Sequence, residues 1–181
     1  MALPSTIFKA MLSISDIDRG YYAEHGLTLA RHPSETDERM MMRLMAFIFH
    51  ADQQLSFTRG LCVDQEPDLW LKDLTGEVSL WIEVGLPDER RIRKACSKAK
   101  QVVVYAYGGR AVDQWWLKNG SDLARHMNLR VMALDPESSS ALAGLARRSM
   151  EFVCTLQDGS AWLHGDDVEL CLSPKQLLPS S

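Results

Sequence analysis

"EPDLW" at 66–70, followed by "SLWIEVG" at 79–85, is the stretch on which the reading of this chain turns. An Asp directly after a Pro, then a Glu inside an apolar run, is the order in which a two-metal nuclease presents its acids. Such an enzyme carries a lysine two residues beyond the Glu, and here that position holds Gly85.

The two-residue period of a strand puts Leu80, Ile82 and Val84 on one face and Trp81, Glu83 and Gly85 on the other. Glu83 therefore sits among apolar neighbours. A carboxylate there costs on the order of several kcal/mol unless it is paired, hydrogen-bonded or bound to metal. Two partners fit that demand, an arginine or a metal ion. Asp68 opens the preceding extended segment, either at the end of the sheet where Glu83 lies or at the opposite end. Only the strand register decides. "EPD" also reads as a simple turn before a strand.

A third acid comes from a helix announced by "PSETDER", with Ser34 as N-cap and Asp37 three residues on. Its apolar residues, Met40 to Phe49, wrap most of the circumference and predict a largely buried helix. Glu35 and Glu38 fall on the stripe of Met42, Met45 and Phe49, which aims both at the sheet. Acids in a first turn also complement the helix dipole, and Glu35 can pair with Arg39 on the surface.

Converging carboxylates suit Mg²⁺, or Mn²⁺ in its place, because a hard ion takes oxygen ligands and keeps waters. The missing lysine has no simple replacement. In the helix predicted over "LPDERRIRKACSKAK", with Pro87 at its start and Asp88 as N-cap, Ile92, Ala95, Cys96 and Ala99 form the inward stripe. Lys94 lies opposite that stripe. Arg91, in the first turn beside the end of the Glu83 strand, is the best-placed substitute. It can clamp a phosphate, but an arginine is not a general base.

The rest of the chain sets bounds. It has 181 residues, 46% hydrophobic and 24% charged, which suits one ordinary globular domain over 1–181. No apolar run reaches the ~18 residues of a membrane span, and the start lacks a signal-peptide pattern. Cys62, Cys96, Cys154 and Cys171 are scattered, without a C-x-x-C, as in reduced thiols of a cytoplasmic protein. The net charge of −4 gives no global basic field. Locally, residues 88–100 carry six cations against two anions, either a solvated face or a surface for nucleic acid. The five histidines lack metal-ligand spacing. "YGGR" at 107–110 reads as a turn, and Trp115 and Trp116 as packing.

Apolar strands alternating with helices predict an α/β fold around a mixed sheet. The first two strands pair, Gly120 closes a helix, turns at "DG" and "GDD" join the late strands, and "LLPSS" is loose.

Four segments, "LTLARHPSETDERMMMRLMAF", "FTRGLC", "EPDLW" and "LWIEVGLPDERRIRKAC", resemble the signature segments of the YaeQ family of bacterial proteins, and the resemblance runs over nearly the whole chain. It implies a compact variant of the PD-(D/E)XK nuclease-like fold. That fold has a restriction-endonuclease-like three-layer core with a mixed central sheet flanked by helices, here with extra strands at both termini. Under this resemblance Asp68 matches the first acid, Glu83 the second and Glu38 the helix-borne acid, while Gly85 departs from the lysine. Two functions are then expected. One is a Mg²⁺-dependent phosphodiesterase acting on nucleic acid, with metal on Asp68, Glu83 and Glu38 and with Arg91 assisting. The other is a nuclease-like binding or regulatory module that no longer cleaves. Fold likeness alone decides between them no better than any analogy.

Overall fold

The computed structural model describes residues 3–59 and 64–180. Cys62 and the end of "FTRGLC" lie outside the described residues. The expected mixed α/β character holds, and the strands divide between two mixed sheets. The contacts divide the chain into two compact units, one of Met1–Ala51 with Glu137–Ser173 and one of Asp52–Pro136 with Pro174–Ser181.

In the first unit, β1 (Thr6–Asp16) and β2 (Tyr21–Arg31) form an antiparallel hairpin, as their alternation predicts. The late strands β8 (Ser149–Gln157), β9 (Ser160–His164) and β10 (Glu169–Leu172) complete a sheet of order β10-β9-β8-β1-β2. β1 and β8 run parallel, with Lys9 opposite Ser149. Strands from both ends of the sequence thus share one sheet. Phe8, Ala10, Leu12 and Ile14 alternate inward along β1 and are buried.

Helix α1 (Asp37–Phe49) belongs to this unit, and Met40 through Ile48 are all buried. Its cap departs from expectation. Thr36, not Ser34, is the N-cap, accepting from the Arg39 amide at 3.1 Å. Ser34 is held in the preceding turn, where its hydroxyl lies 2.7 Å from His32 Nδ1 and its amide donates to that nitrogen at 3.1 Å. Asp37 pairs with Arg31 instead of closing a capping box.

The second unit is built on β3 (Leu55–Phe57), β4 (Leu69–Lys72), β5 (Val78–Val84), β6 (Ala99–Ala106), β7 (Leu129–Ala133) and β11 (Lys175–Leu178). Their order is β11-β7-β6-β5-β4-β3, with β5, β6 and β7 parallel. Helices α2 (Glu89–Lys98) and α3 (Arg110–Leu123) connect these parallel strands. Ile92 and Ala95 of α2 and Val112, Trp115 and Leu123 of α3 pack in one core with Trp81, Val102, Val104 and Val131. Trp115 is core and Trp116 packs partly buried against it, as expected.

Two local expectations fail. Gly120 does not end α3 but lies inside it, with the Trp116 side chain packed close. A Cβ there would meet Trp116 Cε2 at 3.0 Å, so the glycine serves close packing instead of termination. The tail "LLPSS" is not loose at its start. Leu177 and Leu178 end β11 on the free edge of β7, and Leu178 joins the core, since pairing an exposed edge and burying a leucine both favour order. Helix α4 (Pro136–Ala143) precedes β8 as expected.

Candidate functional site

The geometry begins with the β4–β5 hairpin. Its turn is tight because the Asp73 carboxylate accepts from the Thr75 and Glu77 amides at 2.8 and 3.1 Å. The strands then pair with Leu69 opposite Ile82 and Trp70 opposite Trp81. That register settles the open question: the start of β4 meets the end of β5, so Asp68 arrives at the Glu83 end. The Asp68 amide donates to Ile82 O at 3.0 Å, and the Val84 amide donates to Asp68 Oδ2 at 2.8 Å. Both acids are buried, Asp68 at 2% and Glu83 at 3% exposure.

The demand that Glu83 makes for a partner is met by an arginine. Glu83 Oε1 accepts from Arg91 Nε and from the Trp81 indole, each at 2.9 Å. Trp81 reaches it because residues two apart share a strand face. Arg91 reaches it because the Asp88 side chain caps α2, accepting from the Arg91 amide at 2.8 Å and fixing the first turn beside β5. The other guanidinium nitrogens are also engaged. Nη1 donates to Asp64 O at 3.0 Å and Nη2 to Glu66 O at 2.8 Å. One planar side chain thus ties α2, β5 and the segment before β4 together.

Burial pushes the Glu83 carboxyl above the ordinary carboxylate range, and the charge of Asp68 pushes it further. The Arg91 bond and charge, and the Trp81 bond, pull it back. Glu83 Oε1 is already doubly engaged, Asp68 Oδ2 holds a backbone amide, and among the described residues no group of three His, Cys, Asp or Glu could hold a metal ion.

The position expected to hold lysine has its own reason for lacking one. Gly85 has φ +110°, a conformation that L side chains rarely adopt, although the space around it is open. Lys94 is exposed, as the helical wheel predicts.

Glu38 lies in the first unit, where Ser139 Oγ of α4 lies 3.3 Å from Glu38 Oε1. Glu35 is not a surface partner of Arg39. It is buried and joins a triad, accepting from Arg39 at 3.0 Å and twice from Arg43 at 2.8 Å. Arg43 also donates to Ala30 O at 3.2 Å, fastening α1 to β2. A second ion pair escaped the sequence reading: Asp16, 2% exposed, holds Arg19 Nε at 2.6 Å in the β1–β2 turn. Both had signals, an arginine inside a Met-rich run and an i, i+3 Asp–Arg pair at a turn.

The basic stretch shortens to a helix of 89–98, with Lys100 at the start of β6, paired to Asp73 at 3.5 Å and Glu77 at 3.3 Å. Arg93 pairs with Glu89 at 3.6 Å. Arg90, Lys94 and Lys98 are exposed and have no ion pair among the described residues. Burial pushes the Cys96 thiol up to about 11 and the Cys154 thiol up to about 12, so both stay protonated at neutral pH. Among the described residues no helix is long and apolar enough to cross a membrane.

Known proteins match this arrangement over nearly its full length. The protein described as "Uncharacterized protein YaeQ" from Escherichia coli (strain K12) is 49% identical over 166 residues, covering 92% of each chain. The crystal structure of the YaeQ protein from Xanthomonas axonopodis pv. citri superposes with a TM-score of 0.92 at 50% identity, covering 96% of this chain and 98% of that one. The crystal structure of the YaeQ protein from Pseudomonas syringae gives 0.93 at 34% identity, covering 99% of both. The family model described as "YaeQ protein" matches residues 1–174, and the chain belongs to the YaeQ family.

Proposed function

We propose that this chain is a nuclease-like binding or regulatory module that does not cleave. In this reading Arg91 holds the place at Glu83 where a hydrolase of this pattern holds a cation. One observation carries the reading: the Arg91 guanidinium is engaged at Nε, Nη1 and Nη2 at once, with Glu83 and two backbone carbonyls. A side chain so anchored neutralises the carboxylate permanently and holds the segment before β4 in place. Gly85, where a lysine would orient water, supports the same conclusion. The exposed Arg90, Lys94 and Lys98 suit a polyanionic partner such as nucleic acid.

The test is calorimetric titration of Mg²⁺ and Mn²⁺ into wild type, Glu83→Gln and Arg91→Ala, with varied DNA and RNA incubated in parallel. Silent wild-type titrations, uncut nucleic acid and metal uptake only by Arg91→Ala support the module. Cleavage by wild type that is lost in Glu83→Gln replaces it with the second reading, a Mg²⁺-dependent phosphodiesterase using Asp68 and Glu83. That reading draws on the adjacency of the two acids at the end of β5.

A further inference from the structure

The opposite end of the same sheet carries a different feature. Where β6 and β7 begin, a cleft of about 640 Å³ opens. Its rim carries the cations Lys100 and Arg130 beside His126, its amides are Gln101 and Asn128, and its floor includes Leu129 and Leu178. The volume falls in the range of small-molecule sites, roughly 300–1,000 Å³.

Three observations give the cleft a chemistry. Arg130 is exposed and has no ion pair among the described residues, so its fork is open to an anion. No acidic side chain lines the cleft among the described residues, although Asp73 and Glu77 share the Lys100 ammonium. The loop bearing His126 is fixed in advance, because the Asn128 side-chain amide donates to Cys96 O and Ala99 O, both at 3.0 Å. Cations above a leucine floor match a ligand with a charged end and a flat, less polar body.

We propose that this cleft binds a phosphate-bearing ligand of nucleotide size, with Arg130 and Lys100 on the phosphate and Leu129 and Leu178 beneath the remainder. The proposal is independent of the acid pair, which lies at the other end of β5.

The test follows amide NMR shifts of the full-length protein during titration with ADP, inorganic phosphate and the single-stranded oligonucleotide dT10. Gln101, Asn128 and Arg130 should shift with ADP or dT10, and Arg130→Ala should weaken binding about tenfold or more. Arg110→Ala, the same charge change at the start of α3, should leave affinity within about twofold. Tighter ADP binding identifies a free nucleotide-like ligand, and tighter dT10 binding identifies a phosphodiester chain. The proposal is overturned if no probe binds, if Arg110→Ala loses as much as Arg130→Ala, or if inorganic phosphate binds as tightly as ADP.

Discussion

Arg91 Nε lies 2.9 Å from Glu83 Oε1, so the buried carboxylate of β5 finds its counter-charge on the first turn of the helix that follows it. The strand and the turn are a few residues apart in sequence, and the Asp88 cap sets the angle at which the arginine returns.

Removing that arginine leaves a buried carboxylate without its charge partner. Arg91→Ala should lower unfolding free energy by about 2–4 kcal/mol. Arg91→Lys should recover less than half of the loss, since an ammonium cannot span one carboxylate and two carbonyls in a plane. Urea denaturation of the three proteins measures both. Equal stability of wild type and Arg91→Ala would remove the tie from the account.

Glu83 makes stability depend on pH with a defined sign. Its native pKa is raised above the ordinary value, chiefly by burial. Between the ordinary value of about 4.3 and the raised native value, the folded state holds a proton that the unfolded state has released. Its contribution is therefore present below that window and is lost as pH rises through the native pKa. The stability of wild type minus that of Glu83→Gln should fall as pH rises above about 4.3. A difference that stays flat or climbs contradicts the assignment.

Gly85→Lys restores the letter of the nuclease pattern and should restore nothing else. With φ at +110° the backbone is strained for any L side chain, so a loss of about 1–3 kcal/mol is expected, with no cleavage of DNA or RNA. Thermal melting and a gel assay settle it. A variant as stable as wild type that cuts nucleic acid would reverse the proposed function.

Glu35→Ala removes the charge partner of the buried Arg43 guanidinium and should cost about 3–5 kcal/mol. The pair change Glu35→Leu with Arg43→Met should cost far less, because the charge and its partner leave together. Denaturant midpoints of the single and double variants compare the two. A double variant as unstable as the single would show that the triad acts by more than charge pairing.

What was legible in the sequence follows from how local each determinant is. The alternation in "SLWIEVG", the Asp88 cap and the inward stripe of α2 are set within a few residues, and all three stand in the structure. So does the position of Arg91 beside the Glu83 strand. That Arg91 closes on Glu83 was not legible, because its anchoring depends on carbonyls of Asp64 and Glu66 that only the fold presents. Gly85 looked like a missing lysine, whereas its backbone angle makes it a required glycine. Helix α1 misled at its cap because His32, upstream of the helix, competes for Ser34. The tail misled because its order depends on an edge of β7 more than forty residues away. Arg43 is visible as an arginine in an apolar run, but Glu35 reads either as aimed at the sheet or as paired with Arg39, and only the fold brings Arg43 onto it.

The pairing of β1 with β8 bears on how the molecule is made. Residues 6–31 are made well before residues 149–157, so the hairpin that they form has one side of β1 uncovered while more than a hundred further residues are added. The parallel strands 78–84, 99–106 and 129–133 meet one another much sooner. Until residues 149–157 emerge, that flank of β1 lacks its native partner, and an unpaired strand edge is a template on which two nascent copies can join. Synthesis slowed just before residue 149 should therefore favour aggregation over completion.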